Sequence, residues 1–134
     1  MSRRSRAREV ALQLLFQEDV NPGQPVEDIK RFVSRRVQSP DLSEFCLSLV
    51  LGVHRNRGEL DAMLADTAQN WSLDRMAATD RNVLRLGAYE ILFTDAPHKV
   101  AINEAVELAK RFGSAQSAAF VNGILDRFVA HREH

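Results

Sequence analysis

The sequence predicts an all-α protein, a compact bundle of about seven helices forming one domain over residues 1–134. Three observations point there. Nearly every segment repeats its apolar residues at three- and four-residue intervals. No run alternates with period two for long enough to make a strand. Proline, glycine, asparagine and serine interrupt the helical pattern at short intervals, as turn chemistry should. A chain of 134 residues can bury roughly two-thirds of the surface its unfolded form exposes.

In the first segment Ala7, Val10, Ala11, Leu14 and Leu15 share one face, while Leu12 and Phe16 make a second, smaller strip. Asn21-Pro22-Gly23 ends that pattern. A second helix follows Pro25, carried by Val26, Ile29, Phe32, Val33 and Val37. Ser39-Pro40-Asp41 offers the next start, with Leu42, Phe45, Cys46, Leu49, Val50 and Val53 as the inner set; this helix is apolar nearly all round and should lie centrally. Gly58 or a neighbour separates it from a short fourth helix holding Leu60, Met63 and Leu64.

Ser72, after Trp71, is an N-cap candidate for a turn through Leu73 and Met76. Asp80 lies near the start of a helix with Leu84, Gly87, Ala88, Ile91 and Leu92 inward. Gly87 costs that helix roughly 1 kcal/mol relative to alanine, and a close helix crossing is the simplest reason to keep it. After Pro97, Ala101, Ala105, Leu108, Ala109 and Phe112 define the sixth helix, and Gly113 suits its C-terminal cap. The last helix opens between Ser114 and Ser117 and buries Val121, Ile124, Leu125 and Phe128.

Eighteen basic residues offset eighteen acidic ones, so binding to nucleic acid cannot rest on net charge and must rest on clustering. Cys46 is the single cysteine, which excludes an internal disulfide and any cysteine-cluster metal site. No stretch approaches the ~18 apolar residues of a membrane span, and the arginine-rich start lacks the apolar region of a signal peptide. A soluble cytoplasmic protein is the expectation.

No catalytic motif stands out. Glu104 and Glu107 lie on the polar face of their helix, where Glu107 is placed to meet Arg111. His54, His98, His131 and His134 are not spaced as a ligand set, and HExxH, GxSxG and GxxxxGK[ST] are missing. No enzyme, cofactor or metal is expected.

The distinctive feature is the opening RRSRAR. Arg3 and Arg4 read as part of a mobile basic tail over residues 1–5, leading into a first turn with Arg6 and Arg8. Positive charge there opposes the helix macrodipole by about 0.3–1 kcal/mol per residue, so these arginines do not stabilise the helix. Guanidinium groups bind phosphates and stack on bases, which suits single-stranded RNA. Phe16 is either an aromatic platform or a partner contact. A solvated N-terminus remains the plain alternative.

Taken together, RRSRAREVALQLLFQ, DRNVLRLGAYEILF, VAINEAVELAKRFG and SAAFVNGILDRF, in that order, resemble the NusB family of bacterial transcription antitermination factors. The resemblance runs over nearly the whole chain and is strongest from Asp80 to Phe128. It implies a non-catalytic helical protein that pairs with NusE, a small-subunit ribosomal protein. The pair would bind boxA RNA of nascent ribosomal RNA transcripts within an RNA polymerase antitermination complex.

The resemblance also carries roles to residues. Arg3, Arg4, Arg6, Arg8, Phe16 and Phe120 are its expected RNA contacts, and Phe16 and Asp80 its expected partner contacts. Phe16 stands where many members have tyrosine, keeping the ring without the hydroxyl. Asp80 is also an N-cap candidate, and Phe120 is either core flank or base platform. Asn122 and Gly123 are expected to serve helix packing, whereas Tyr89 and Glu90 have no role that the residues reveal. Related helical domains occur fused to an RNA-cytosine methyltransferase, but no cofactor-binding loop is expected here. A homodimer covering the arginines is compatible with the sequence, and a protein-binding helical adaptor is the alternative function.

Overall fold

The three- and four-residue spacing becomes seven helices and one 3-10 turn in the computed structural model, which describes residues 3–133. In order these are α1 (Arg3–Val20), α2 (Val26–Arg36), α3 (Pro40–Arg55), α4 (Arg57–Thr67), the turn Leu73–Arg75, α5 (Ala78–Phe93), α6 (His98–Phe112) and α7 (Ser117–Glu133). No strand occurs among the described residues. Packing groups the helices into two compact units, Met1–Arg55 and Asn56–His134, where the sequence predicts one domain.

In the first unit α1 and α2 both pack on α3. Ala7, Val10, Ala11, Leu14 and Leu15 of α1 are buried, as are Cys46, Leu49, Val50 and Val53 of α3. Each large aliphatic side chain so buried contributes about 1.5–3 kcal/mol. The ends of the helices follow local chemistry. Glu27 and Asp28 open α2 while Arg35 and Arg36 close it, both in the sense the macrodipole favours. Ser39 Oγ accepts from the Leu42 N–H at 3.5 Å, and Pro40 occupies the first helical position of α3. Gly23 turns the chain between α1 and α2 at φ 95°, a conformation other residues rarely adopt.

In the second unit α5 packs against α4, α6 and α7. Gly87 is the close-crossing residue the sequence predicts: a Cβ there would stand 2.8 Å from Leu125 Cδ1 of α7 and 3.4 Å from Ala105 Cβ of α6. Arg85 of α5 is buried and holds Asp61 of α4 through two bonds, Nε to Oδ1 at 2.7 Å and Nη2 to Oδ2 at 2.9 Å. Its Nη1 donates to Asn82 Oδ1 at 3.1 Å.

Several local expectations are corrected. Where a mobile tail is expected over residues 1–5, α1 is helical from Arg3 onward, and Arg4 lies against the Phe45 ring of α3; Met1 and Ser2 lie outside the described residues. Leu12, expected on a strip apart from the core, is buried. Phe112 is exposed at the end of α6, with the Arg111 guanidinium 5.3 Å from its ring centre. Glu107 pairs with Lys110 at 3.4 Å. Asn122 is exposed and reaches Asp126 at 3.5 Å, while Gly123 faces open space, so neither packs a helix.

Candidate nucleic-acid interface

The first two turns of α1 carry four arginines and no acidic residue in the first turn. The structure sorts these arginines into three environments. Arg3 and Arg4 are exposed and have no carboxylate partner among the described residues. Arg6 is also exposed, but its Nη1 is bound to Glu9 Oε2 at 3.2 Å. Arg8 is only 3% exposed. The fourth expected RNA contact is therefore a buried residue, out of reach of a phosphate unless it moves.

Arg4 and Arg8 share one aromatic neighbour. The Arg4 guanidinium carbon lies 4.3 Å from the centre of the Phe45 ring, and that of Arg8 lies 5.3 Å from it. The i, i+4 spacing puts both side chains on one side of α1, where α3 presents Phe45. The spacing of α3 reveals Phe45 only as one more inner residue, since a cation–π contact leaves no periodic trace.

Phe16 is 38% exposed. It stands ten to thirteen residues beyond Arg3–Arg6, roughly 15–20 Å along the helix axis. The structure does not gather Phe16 into the arginine cluster; it lies toward the other end of α1.

The remaining expected contacts belong to the second unit. Asp80 sits in the first turn of α5, which starts at Ala78 with Ala77 as its cap residue. The N-cap expectation is thus corrected by three positions. Asp80 still favours the helix through the macrodipole, and its Oδ1 is buried without a hydrogen-bond partner among the described residues.

Phe120 lies in the first turns of α7, half-buried, and meets Trp71 edge to face with ring centres 5.2 Å apart. Trp71 is 55% exposed and stands just before the 3-10 turn. Its pairing with Phe120 joins residues 49 positions apart in sequence and could not be read from spacing. Of the two residues without a role in the sequence, Tyr89 stacks on Phe93 with centres 5.3 Å apart, and Glu90 is fully buried.

The rest of the chemistry is quiet. Burial pushes the Cys46 thiol up to about 12, which suits a packing residue and not a nucleophile. Among the described residues no three His, Cys, Asp or Glu side chains group as a metal site requires, and no helix is long and apolar enough to cross a membrane.

The chain thus belongs to the class of all-α proteins with a basic helix start, Arg3 and Arg4 being exposed and without a carboxylate partner among the described residues. Within that class the comparisons are specific. Residues 5–130 match the NusB family, and the chain belongs to it. The transcription antitermination protein NusB of Desulfatibacillum aliphaticivorans is 45% identical over 132 residues, covering 98% of this chain and 92% of the relative. The structure of T. maritima NusB superposes with a TM-score of 0.84 at 34% identity, covering 97% of this chain and 92% of that one. A NusB solved together with NusE and double-stranded RNA gives 0.87 at 28% identity, with 98% of each chain covered.

Proposed function

We propose that this chain is an RNA-binding transcription antitermination factor that pairs with NusE on the boxA element of nascent ribosomal RNA transcripts. The observation that carries the reading is the near-full-length likeness to antitermination NusB proteins, one of them solved with NusE and RNA. The family match spans both units, which supports treating residues 1–134 as one NusB-like domain. The protein works in the cytoplasm, where transcripts are made, and its contribution is binding without catalysis.

In this reading Arg3 and Arg4 hold RNA phosphates, and Arg6 joins them by exchanging Glu9 for a phosphate. Arg8 supports them from below. Phe16 and Phe120 offer ring faces or edges to bases or partner, and Asp80 faces NusE. Three phosphate contacts would set a salt slope near −2, at about −0.7 per contact on a single strand. That is a modest grip, so a second protein sharing the RNA is part of the proposal.

The test is the affinity for a boxA-containing RNA and a scrambled RNA, with and without NusE, at two salt concentrations. Selective binding that tightens with NusE is expected. Binding to NusE with no preference between the RNAs would overturn the RNA role and leave a protein adaptor.

A further inference from the structure

We infer that Phe45 is a positioning residue for RNA: its ring holds the Arg4 guanidinium, with Arg8 beside it, so that Arg4 meets a phosphate already oriented. The inference rests on the RNA-binding reading of α1 and extends it to a residue of α3. Two guanidinium groups converge on one ring, at 4.3 and 5.3 Å from its centre. They are like charges one helical turn apart, next to the positive end of a helix that has no acid in its first turn. The contact that holds Arg4 among the described residues is the negative face of Phe45.

The choice of a ring over a carboxylate matters. A carboxylate would take up in-plane N–H donors of Arg4 and offset its charge, as Glu9 takes the Nη1 donor of Arg6. A ring face holds the guanidinium from one side and leaves the donors in its plane open, which is the edge that a phosphate engages bidentately. Phe45 can serve because its own turn is fixed: the neighbouring Cys46 and Leu49 are fully buried. A long side chain that must be immobilised on binding weakens affinity by about two- to tenfold relative to one already held. That factor is the size of the expected effect.

The experiment measures the dissociation constant of a boxA-containing RNA, with NusE present, by fluorescence anisotropy at two salt concentrations. The proteins are wild type, Phe45→Leu, Phe45→Tyr, Arg4→Ala and the pair Phe45→Leu with Arg4→Ala, with thermal melts alongside. Phe45→Leu is expected to weaken binding about two- to tenfold and to flatten the salt slope by up to about 0.7. Phe45→Tyr, which keeps the ring face, should bind within about twofold of wild type. The double variant should bind no more weakly than Arg4→Ala alone, because Phe45 acts through Arg4.

Weakened binding by Arg4→Ala with unchanged binding by Phe45→Leu would overturn the positioning role and leave the RNA reading intact. Unchanged binding by Arg4→Ala would overturn the RNA role of Arg4 and the inference with it. If Phe45→Leu fails to fold, the Arg4 Hε resonance of wild type and Phe45→Tyr carries the test. An upfield, ring-shifted and motionally restricted signal is expected; a random-coil, freely moving one overturns the proposal.

Discussion

Removing the Asp61 carboxylate leaves Arg85 with a guanidinium buried in α5 and its two-pronged partner gone. The side chain of Arg85 is 4% exposed and that of Asp61 28%. Breaking a fully buried pair costs about 3–5 kcal/mol. Water reaches Asp61, and Asn82 still accepts from Nη1, so the cost here falls to about 2–3 kcal/mol. With an unfolding entropy near 2.1 cal/mol/K per residue, Asp61→Ala should lower Tm by about 7–10 °C.

Two further variants separate the charge from the packing. Asp61→Asn keeps the shape and one acceptor oxygen and should lose about half as much. Joining Asp61→Ala to Arg85→Met removes the stranded charge and should recover most of the loss. Thermal melts followed by circular dichroism at 222 nm read all three. An Asp61→Ala protein melting within about 2 °C of wild type would refute the claim that this pair ties α4 to α5, since the expected shift is several times larger.

Three more perturbations follow from the same structure. Arg8→Ala should destabilise the fold by about 1–3 kcal/mol, because a buried side chain and its ring contact are lost; a melt indistinguishable from wild type would mean Arg8 is not anchored. Asp80→Lys should weaken binding to NusE, measured by calorimetry, at a cost of only about 1 kcal/mol in stability from the reversed charge at the helix start. Unaltered NusE affinity would remove Asp80 from the partner surface.

The Cys46 thiol, pushed up to about 12, should resist iodoacetamide at pH 8 in the native state and react once the chain is unfolded. Its raised value also sets a sign. Between about pH 9 and 12 the native state keeps a proton that the unfolded chain releases, so the thiol makes stability fall as pH rises, and Cys46→Ala should flatten that decline. A slope unchanged by Cys46→Ala in urea unfolding at pH 9 to 10.5 would contradict it.

The sequence carried the helices well because apolar spacing is a local signal, and seven helices and a short turn stand where that spacing puts them. It carried their ends less well. Asp80 looked like a cap, yet the backbone becomes helical two residues earlier at Ala78, since Ala78 and Thr79 offer no barrier to helix. Gly113 shows a different gap. Its position at the end of α6 was legible, but it sits at φ −97°, outside the left-handed region. The need for glycine there is space: Ser117 Cβ would lie 2.6 Å from an added Cβ, and Ser117 Oγ accepts the Ser114 N–H at 2.9 Å.

The candidate site was legible as a list of residue types and not as a geometry. Four arginines in a row of six positions are visible in any reading. That Arg8 is buried, Arg6 is paired and Arg4 lies on Phe45 depends on α3 packing along α1. Trp71 against Phe120 and Asp61 against Arg85 are likewise long-range contacts with no sequence period.

The most direct test of the central claim is the salt dependence of boxA RNA binding, with NusE present, for wild type and for Arg3→Ala joined to Arg4→Ala. Two lost phosphate contacts should make the slope less negative by about 1.4, at 0.7 per contact, with helicity unchanged. The same slope and affinity in both proteins would contradict the account, and the arginines that open α1 would then be solvated charge.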